Sequence, residues 1–495
     1  MMKNDRNEWN YVFLAKVFVL IIGMMALVLG RKEKHLYQEF EEGILREQKE
    51  RSISEVEIVN EGEKVQSQSK ERKEETAAIS LEIPSAIRVL LTDNRQSGYV
   101  HEDVVLFSSG GIQITGDLEQ EFPPGEEINI KDILTTGCIR VQGKEKGGTI
   151  TVSSLEKNEG LPAYEGVLEI LSVPGGFRLI NEVDLETYLK YVVPSEMPSG
   201  YPLEALKAQA VCARTYAVSQ IREGRLQDYG ADVDDTVSFQ VYHNISRQES
   251  TDQAVEDTRG QIMCWQGEPV QAYFFSTSCG YTSTDEVWGT QETAPYLKSV
   301  SVSSKTVETM ASGRDSGRNT GFTEEEFRQF ICGIQEDDFE KEESWYRWKI
   351  TFPIEKLQSE CRDRFPQIGK LKGFQVIKRS EGGGVRELAL TGEDGKESIC
   401  NEYDIREFFS PKDIPIRCGD GKERRNMKIL PSSYFVIDEV YEEEQLTGFT
   451  ITGGGYGHGV GMSQNGAKYL GETGRSWKEI LQLFYKDITI EGIKE

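Results

Sequence analysis

The sequence predicts an α+β fold, carried on a single N-terminal transmembrane helix. Three observations predict it. Short runs of β-branched and aliphatic residues, separated by turn signals, fill residues 83–160. A helix that is apolar nearly all round follows a cluster of prolines near residue 200. Tyr11 to Leu29 is a 19-residue stretch, apolar except for Lys16 and Gly23, and about long enough to span a bilayer. A chain of 495 residues exceeds one hydrophobic core, so more than one domain is expected.

Taken in order, residues 1–30 read as a cytoplasmic tip and membrane anchor. No small-x-small cleavage site precedes Arg31, so the segment reads as an uncleaved anchor rather than a signal peptide. Lys3 and Arg6 on one side and Arg31, Lys32 and Lys34 on the other leave the charge rule undecided. A long domain translocates largely regardless of local charge, so the expected location is the cell membrane, single-pass, with the rest of the chain extracytoplasmic. Residues 31–82 are rich in Glu, Lys, Gln and Ser and read as a charged stalk. Residues 83–160 read as a small β-rich domain, with strands at Ile87 to Leu91, Val104 to Phe107 and Ile112 to Ile114. Residues 161–300 form the first part of the core, 301–370 an insertion and 371–495 the C-terminal part. The last helix is marked by Ser476 with Glu479 three residues later, a capping box ahead of Ile480, Leu481, Leu483 and Phe484.

The net charge of −26, from 57 basic and 83 acidic residues, argues against nucleic acid as a partner. The eight cysteines are scattered and form no C-x-x-C pair. Cys212 falls on the apolar helix and reads as a buried free thiol.

The densest chemistry lies at Val193-Pro194-Ser195-Glu196-Met197-Pro198. Proline fixes its own φ and pushes the residue before it out of the helical region, so Glu196 is expected in a stiff, extended loop. It is either a surface acid on a helix connection or a displayed general acid. The following helix carries Leu203, Leu206, Ala210, Ala213 and Ala217 on one stripe, and its other faces are small or apolar too. Arg214 lies late on that helix, and a buried guanidinium needs an anion. Glu196, a substrate carboxylate and a distant structural acid all qualify.

Near the C-terminus, six glycines fall between Gly453 and Gly461, around His458 and just before Ser463 and Gln464. Such a run lets backbone approach a ligand or another strand closely. It lacks the spacing of a phosphate loop. In the middle, Gln271 to Phe275 reads as a strand, followed by the hydroxyl-rich run Ser276-Thr277-Ser278-Cys279-Gly280-Tyr281-Thr282.

Four blocks in this order carry a resemblance: Val193 to Pro198 with Leu203 to Ala217, then Gln240-Val241-Tyr242, then Ala272 to Thr282, then Gly457 to Ala467. The chain resembles the stage II sporulation protein D / amidase enhancer (SpoIID/LytB) family over roughly residues 165–300 and 370–490. The resemblance implies a SpoIID-like catalytic domain. It implies a membrane-anchored lytic transglycosylase that cuts peptidoglycan glycan strands during forespore engulfment. The family's other branch implies a non-catalytic modifier of a cell-wall amidase.

On that resemblance Glu196 is the catalytic acid/base. Glu204 has a structural or orienting place, and Arg214 orients Glu196 or the substrate. From the residues themselves, the run holding Ser276 and Ser278 is either a surface that hydrogen-bonds sugar hydroxyls or an ordinary polar turn, and Tyr281 either stacks on a sugar face or joins the core; His458, Ser463 and Gln464 are expected to line the groove. Partners implied are glycan strands, among them strands denuded of stem peptides, a cell-wall amidase and other membrane-bound engulfment proteins. Some relatives carry a Cys/His metal site just before the Gln-Val-Tyr block. Ser238-Phe239 stand there here, so no metal and no cofactor is expected.

Overall fold

The first strand, Ala86–Leu90, falls where the sequence predicts it and buries Ile87 and Val89 on one face. The computed structural model describes residues 85–493, apart from 95–97, 158–159, 237, 243, 245–246, 291 and 307–320. The expected anchor and stalk lie outside the described residues.

A seven-stranded sheet runs Val233–Asp234, Ala86–Leu90, Gly176–Asp184, Val167–Val173, Cys138–Gly143, Ile112–Gly116, Gln120–Phe122. Ala86–Leu90 pairs antiparallel with Gly176–Asp184, from Ala86 opposite Asp184 to Leu90 opposite Ile180. Cys138–Gly143 pairs with Val167–Val173. The boundary expected at residue 160 is thereby corrected. The β-rich region and the start of the core share one sheet and one continuous hydrophobic cluster, from Ile87 to Cys264. The apolar alternation of residues 83–160 is visible in sequence. Its partner strands lie beyond 160, and pairing is not a local property.

Helix α1 (Leu185–Glu196) starts from Asp184, whose carboxylate accepts the Thr187 N–H. Helix α2 (Leu203–Glu223) starts after Pro202 and ends at Gly224 in the left-handed region. Nearly every residue of α2 from Ala205 to Gln220 is buried, because α1, helix α3 (Glu249–Asp257) and strand Gln261–Trp265 pack around it. That strand pairs with Thr489–Gly492, so the chain's last strand returns to the first part of the core.

The remaining segment builds a second sheet in the order Glu423–Arg424, Ile416–Cys418, Trp348–Pro353, Gln445–Gly453, Phe435–Glu442. Beside it stands a three-stranded meander, Leu371–Arg379, Val385–Gly392 and Lys396–Cys400. Helices α4 (Glu324–Ile331), α5 (Ile354–Arg364) and α6 (Glu402–Phe408) cover these sheets. Trp348–Pro353 pairs with Gln445–Gly453 along its whole length, and Trp348, Phe352, Phe435 and Phe449 share one core. The stretch 301–370 is therefore no separate insertion, since its main strand is a central member of the C-terminal sheet.

Phe274–Phe275 pairs in parallel with Met462–Ser463, which leads into helix α7 (Gln464–Glu472). Helix α8 (Trp477–Phe484) carries the expected capping box on Ser476 and Glu479. Both helices pack on α2.

Candidate functional site

Glu196 is the last residue of α1, not part of an extended loop. Pro194 is accommodated inside the last turn. The break comes at Met197, extended at φ −132° and ψ 133°, as a residue before proline must be. The acid thus stands at the end of a packed helix rather than in the stiff, extended loop expected from the prolines. Met197 beneath it is buried.

The Gln-Val-Tyr block supplies the other wall. Gln240 is fully buried, accepts from the Tyr188 hydroxyl (3.2 Å) and donates to the Ala213 carbonyl (3.2 Å). Tyr242 is fully buried and donates to Asn181 (2.9 Å). With its neighbours pinned, the Val241 N–H is aimed at Glu196 and donates to Oε1 at 2.7 Å. No other described residue donates to this carboxyl. Glu196 is half-buried. Burial pushes its pKa up to about 7, against the opposing pull of the Val241 hydrogen bond. Such a carboxyl is about half protonated at neutral pH and can serve as acid and then as base.

The C-terminal block joins the same place through three consecutive residues. Gln464 donates from Nε2 to the Glu196 carbonyl at 3.1 Å and reaches Gln209 at 3.5 Å. Asn465 accepts from the Tyr201 hydroxyl at 2.6 Å and donates to Thr277 at 3.0 Å. Ser463 caps α7 and donates to Glu340 Oε1 at 2.6 Å. Glu340 is 1 % exposed and also takes the Ser278 N–H (2.9 Å) and the Ser278 hydroxyl. Burial pushes its carboxyl up to about 7, while the serine hydrogen bonds pull the other way. The sequence reading missed Glu340. It sits in an acidic run that reads as solvated surface, and only the fold places it against two serines more than 60 residues away in either direction.

Of the other expected site residues, Ser276 lies beside this cluster: its carbonyl accepts the Asn465 N–H at 3.0 Å. Ser278 and Ser463 are buried under Glu340, so they organise the site rather than face a sugar. Tyr281 packs edge-on against Phe322 and Phe330, each at 5.3 Å, and takes no place beside Glu196. Its expected sugar contact is replaced by an aromatic core made by α4 and its flank.

Arg214 is fully buried and forms a two-pronged pair with Glu186, 2.7 Å on each side. It also donates to the Val255 and Gln261 carbonyls, each at 3.2 Å. Its orienting role on Glu196 or substrate is corrected to a structural one joining α1, α2 and α3. Glu204 accepts the Trp477 N–H (2.8 Å) and Lys207 (3.0 Å), tying α8 to α2.

His458 stands among Trp288, Phe275 and Tyr273, with ring centres 5.3, 5.7 and 6.3 Å away. Its Nδ1 accepts the Val460 N–H at 3.1 Å. Desolvation lowers its pKa to about 4, so the ring is neutral at physiological pH. The glycines around it serve close backbone approach: a Cβ on Gly461, at φ +77°, would collide with the Tyr273 carbonyl. An aromatic line continues from Trp288 to Tyr273 (4.8 Å) and on to Tyr216 (6.1 Å). Burial raises the Tyr216 phenol to about 12. Arg225 opposes that shift, and Glu223, Asp234 and Glu196 add to it. Among the described residues no group of three or more His, Cys, Asp or Glu is placed to hold a metal ion.

The family model described as "Stage II sporulation protein" (SpoIID) matches residues 174–265, which contain Glu196, α2 and the Gln-Val-Tyr block. A domain of unknown function (DUF8618) matches residues 282–461. The chain is 29% identical over 382 residues to stage II sporulation protein D of Bacillus subtilis (strain 168), covering 72% of this chain and 91% of that one. It is 29% identical over 331 residues to stage II sporulation protein D of Bacillus amyloliquefaciens, covering 63% and 75%. It is 27% identical over 312 residues to the amidase enhancer of Bacillus subtilis (strain 168), covering 61% of this chain but only 40% of that protein.

Proposed function

The chain belongs to the SpoIID/LytB family, and on that premise we propose that it is a peptidoglycan lytic transglycosylase with Glu196 as its single acid/base. The observation that carries this reading is the half-buried Glu196 carboxyl at the end of a packed helix, held by one backbone N–H and raised to about 7. Protonated, Glu196 gives its proton to the glycosidic oxygen as the bond to the muramyl C1 breaks. The resulting carboxylate then takes the proton of the muramyl C6 hydroxyl as that oxygen bonds to C1, which closes a 1,6-anhydro ring and restores the acid. No water is consumed and one carboxyl suffices.

Hydrolysis would need a second acid or base across the bond. Glu340 is a poor candidate, because it is 1 % exposed, out of a substrate's reach, and already takes three donors. The enzyme would work in sporulation, outside the membrane on its N-terminal anchor, alongside a cell-wall amidase and other engulfment proteins.

The similarity to the amidase enhancer favours a second reading, in which the chain binds glycan and stimulates a partner amidase without cutting. Mass spectrometry of glycan strands incubated with the full chain separates the two. The lyase reading expects anhydro-muramyl ends with the wild type and none with Glu196→Gln. Reducing ends would mean attack by water. No cleavage of intact or denuded strands would leave the enhancer reading.

A further inference from the structure

Arg225 follows the left-handed Gly224 that ends α2, and its side chain is exposed. Its guanidinium lies over the Phe239 ring, 4.8 Å from the centre. Its one side-chain hydrogen bond to a described residue is long, 3.4 Å to Gln220. No carboxylate of a described residue lies within ion-pair distance, whereas most arginines here are paired. In a chain of net charge −26, an uncommitted cation on an aromatic ring is conspicuous.

Its position is more informative still. Phe239 is two residues before Val241, the donor to Glu196, so at most about 7 Å separates their Cα atoms. Tyr216 lies within the electrostatic reach of both Arg225 and Glu196, and begins the aromatic line to Tyr273 and Trp288. Tyr216 itself is buried, but Phe239, Tyr273 and Trp288 are only partly buried, so a sugar chain reaching Glu196 would meet partly exposed rings and one planar cation. Arg225 presents a fork that matches a carboxylate in two-pronged geometry.

Resting on the lyase reading and deepening it, the geometry points to Arg225 over Phe239 as the subsite that reads a carboxylate attached to the muramyl residue. Two sources share that chemistry: the free lactyl group of a bare strand, and the carboxylates of a stem peptide.

The test is binding by the full chain in the Glu196→Gln background, where cleavage is blocked. The probes are a bare GlcNAc–MurNAc tetrasaccharide, its peptide-bearing counterpart, in which the lactyl group is an amide, and chitotetraose, which has no carboxylate. Arg225→Gln should weaken the muramyl probe about tenfold and leave chitotetraose unchanged, with Arg225→Lys intermediate. Loss on the bare strand assigns the lactyl carboxylate, and loss confined to the peptide-bearing strand assigns the stem. Equal loss on chitotetraose, or no loss on either muramyl probe, overturns the subsite while leaving the lyase reading intact. Failure of the parent protein to bind any probe would sink both.

Discussion

Glu196 costs the fold stability in the ionised form that it passes through in the proposed reaction. Its folded pKa of about 7 lies above the ordinary glutamate value, so between those two pH values the folded state binds more protons than the unfolded one. Its contribution is therefore fully present below the ordinary glutamate value and is lost as pH rises through about 7. Glu196→Gln carries no such loss. The variant should match the wild type in stability near pH 4 and exceed it at pH 8, by about 2–3 kcal/mol. Urea denaturation at the two pH values checks this. A variant less stable than wild type at pH 8 would mean that the carboxyl is not held as described.

At the scale of elements, the α1–α2 contact is the part most exposed to a single change. Arg214→Ala leaves the Glu186 carboxylate buried without its cation, which should cost about 3–5 kcal/mol. The expected signature is a fall in melting temperature, with the surviving folded fraction keeping the wild-type pH profile. A changed profile at unchanged stability would return Arg214 to a direct role. A second element-level test is Gly461→Ala, where φ +77° and the Tyr273 carbonyl leave no room for a Cβ. It should destabilise by about 2 kcal/mol or more, because backbone must move.

The helix 203–223 was legible in sequence because Pro202, the apolar stripe and Gly224 are local signals. Glu196 was legible as a chemical candidate for the same reason. Its setting was not: Pro194 four residues before Pro198 reads as a loop, yet packing carries α1 through the first proline and only the second stops it. The partner of Arg214 and the part played by Glu340 depend on contacts 28 to 123 residues away, which no local pattern encodes.

For the whole molecule, continuity of the first sheet matters most. Strands Ala86–Leu90 and Cys138–Gly143 flank the Val167–Val173 and Gly176–Asp184 hairpin, and α1 leaves directly from its end. A chain beginning at residue 161 would bare both edges of that hairpin and half of its core. It should fail to give a cooperative unfolding transition, whereas a chain beginning at residue 83 should unfold cooperatively. A stable, cooperative 161–495 fragment would show that the β-rich region is an independent domain after all.

The central claim is that one raised carboxyl both gives and takes the proton. The most direct measurement is the rate of anhydro-muramyl end formation from denuded strands as a function of pH, for the wild type beside Glu196→Gln. A rate that falls as pH rises through about 7, with His458 adding no limb near its ordinary pKa and the variant inactive throughout, is the predicted result. Anhydro ends formed by Glu196→Gln at near wild-type rate would contradict it.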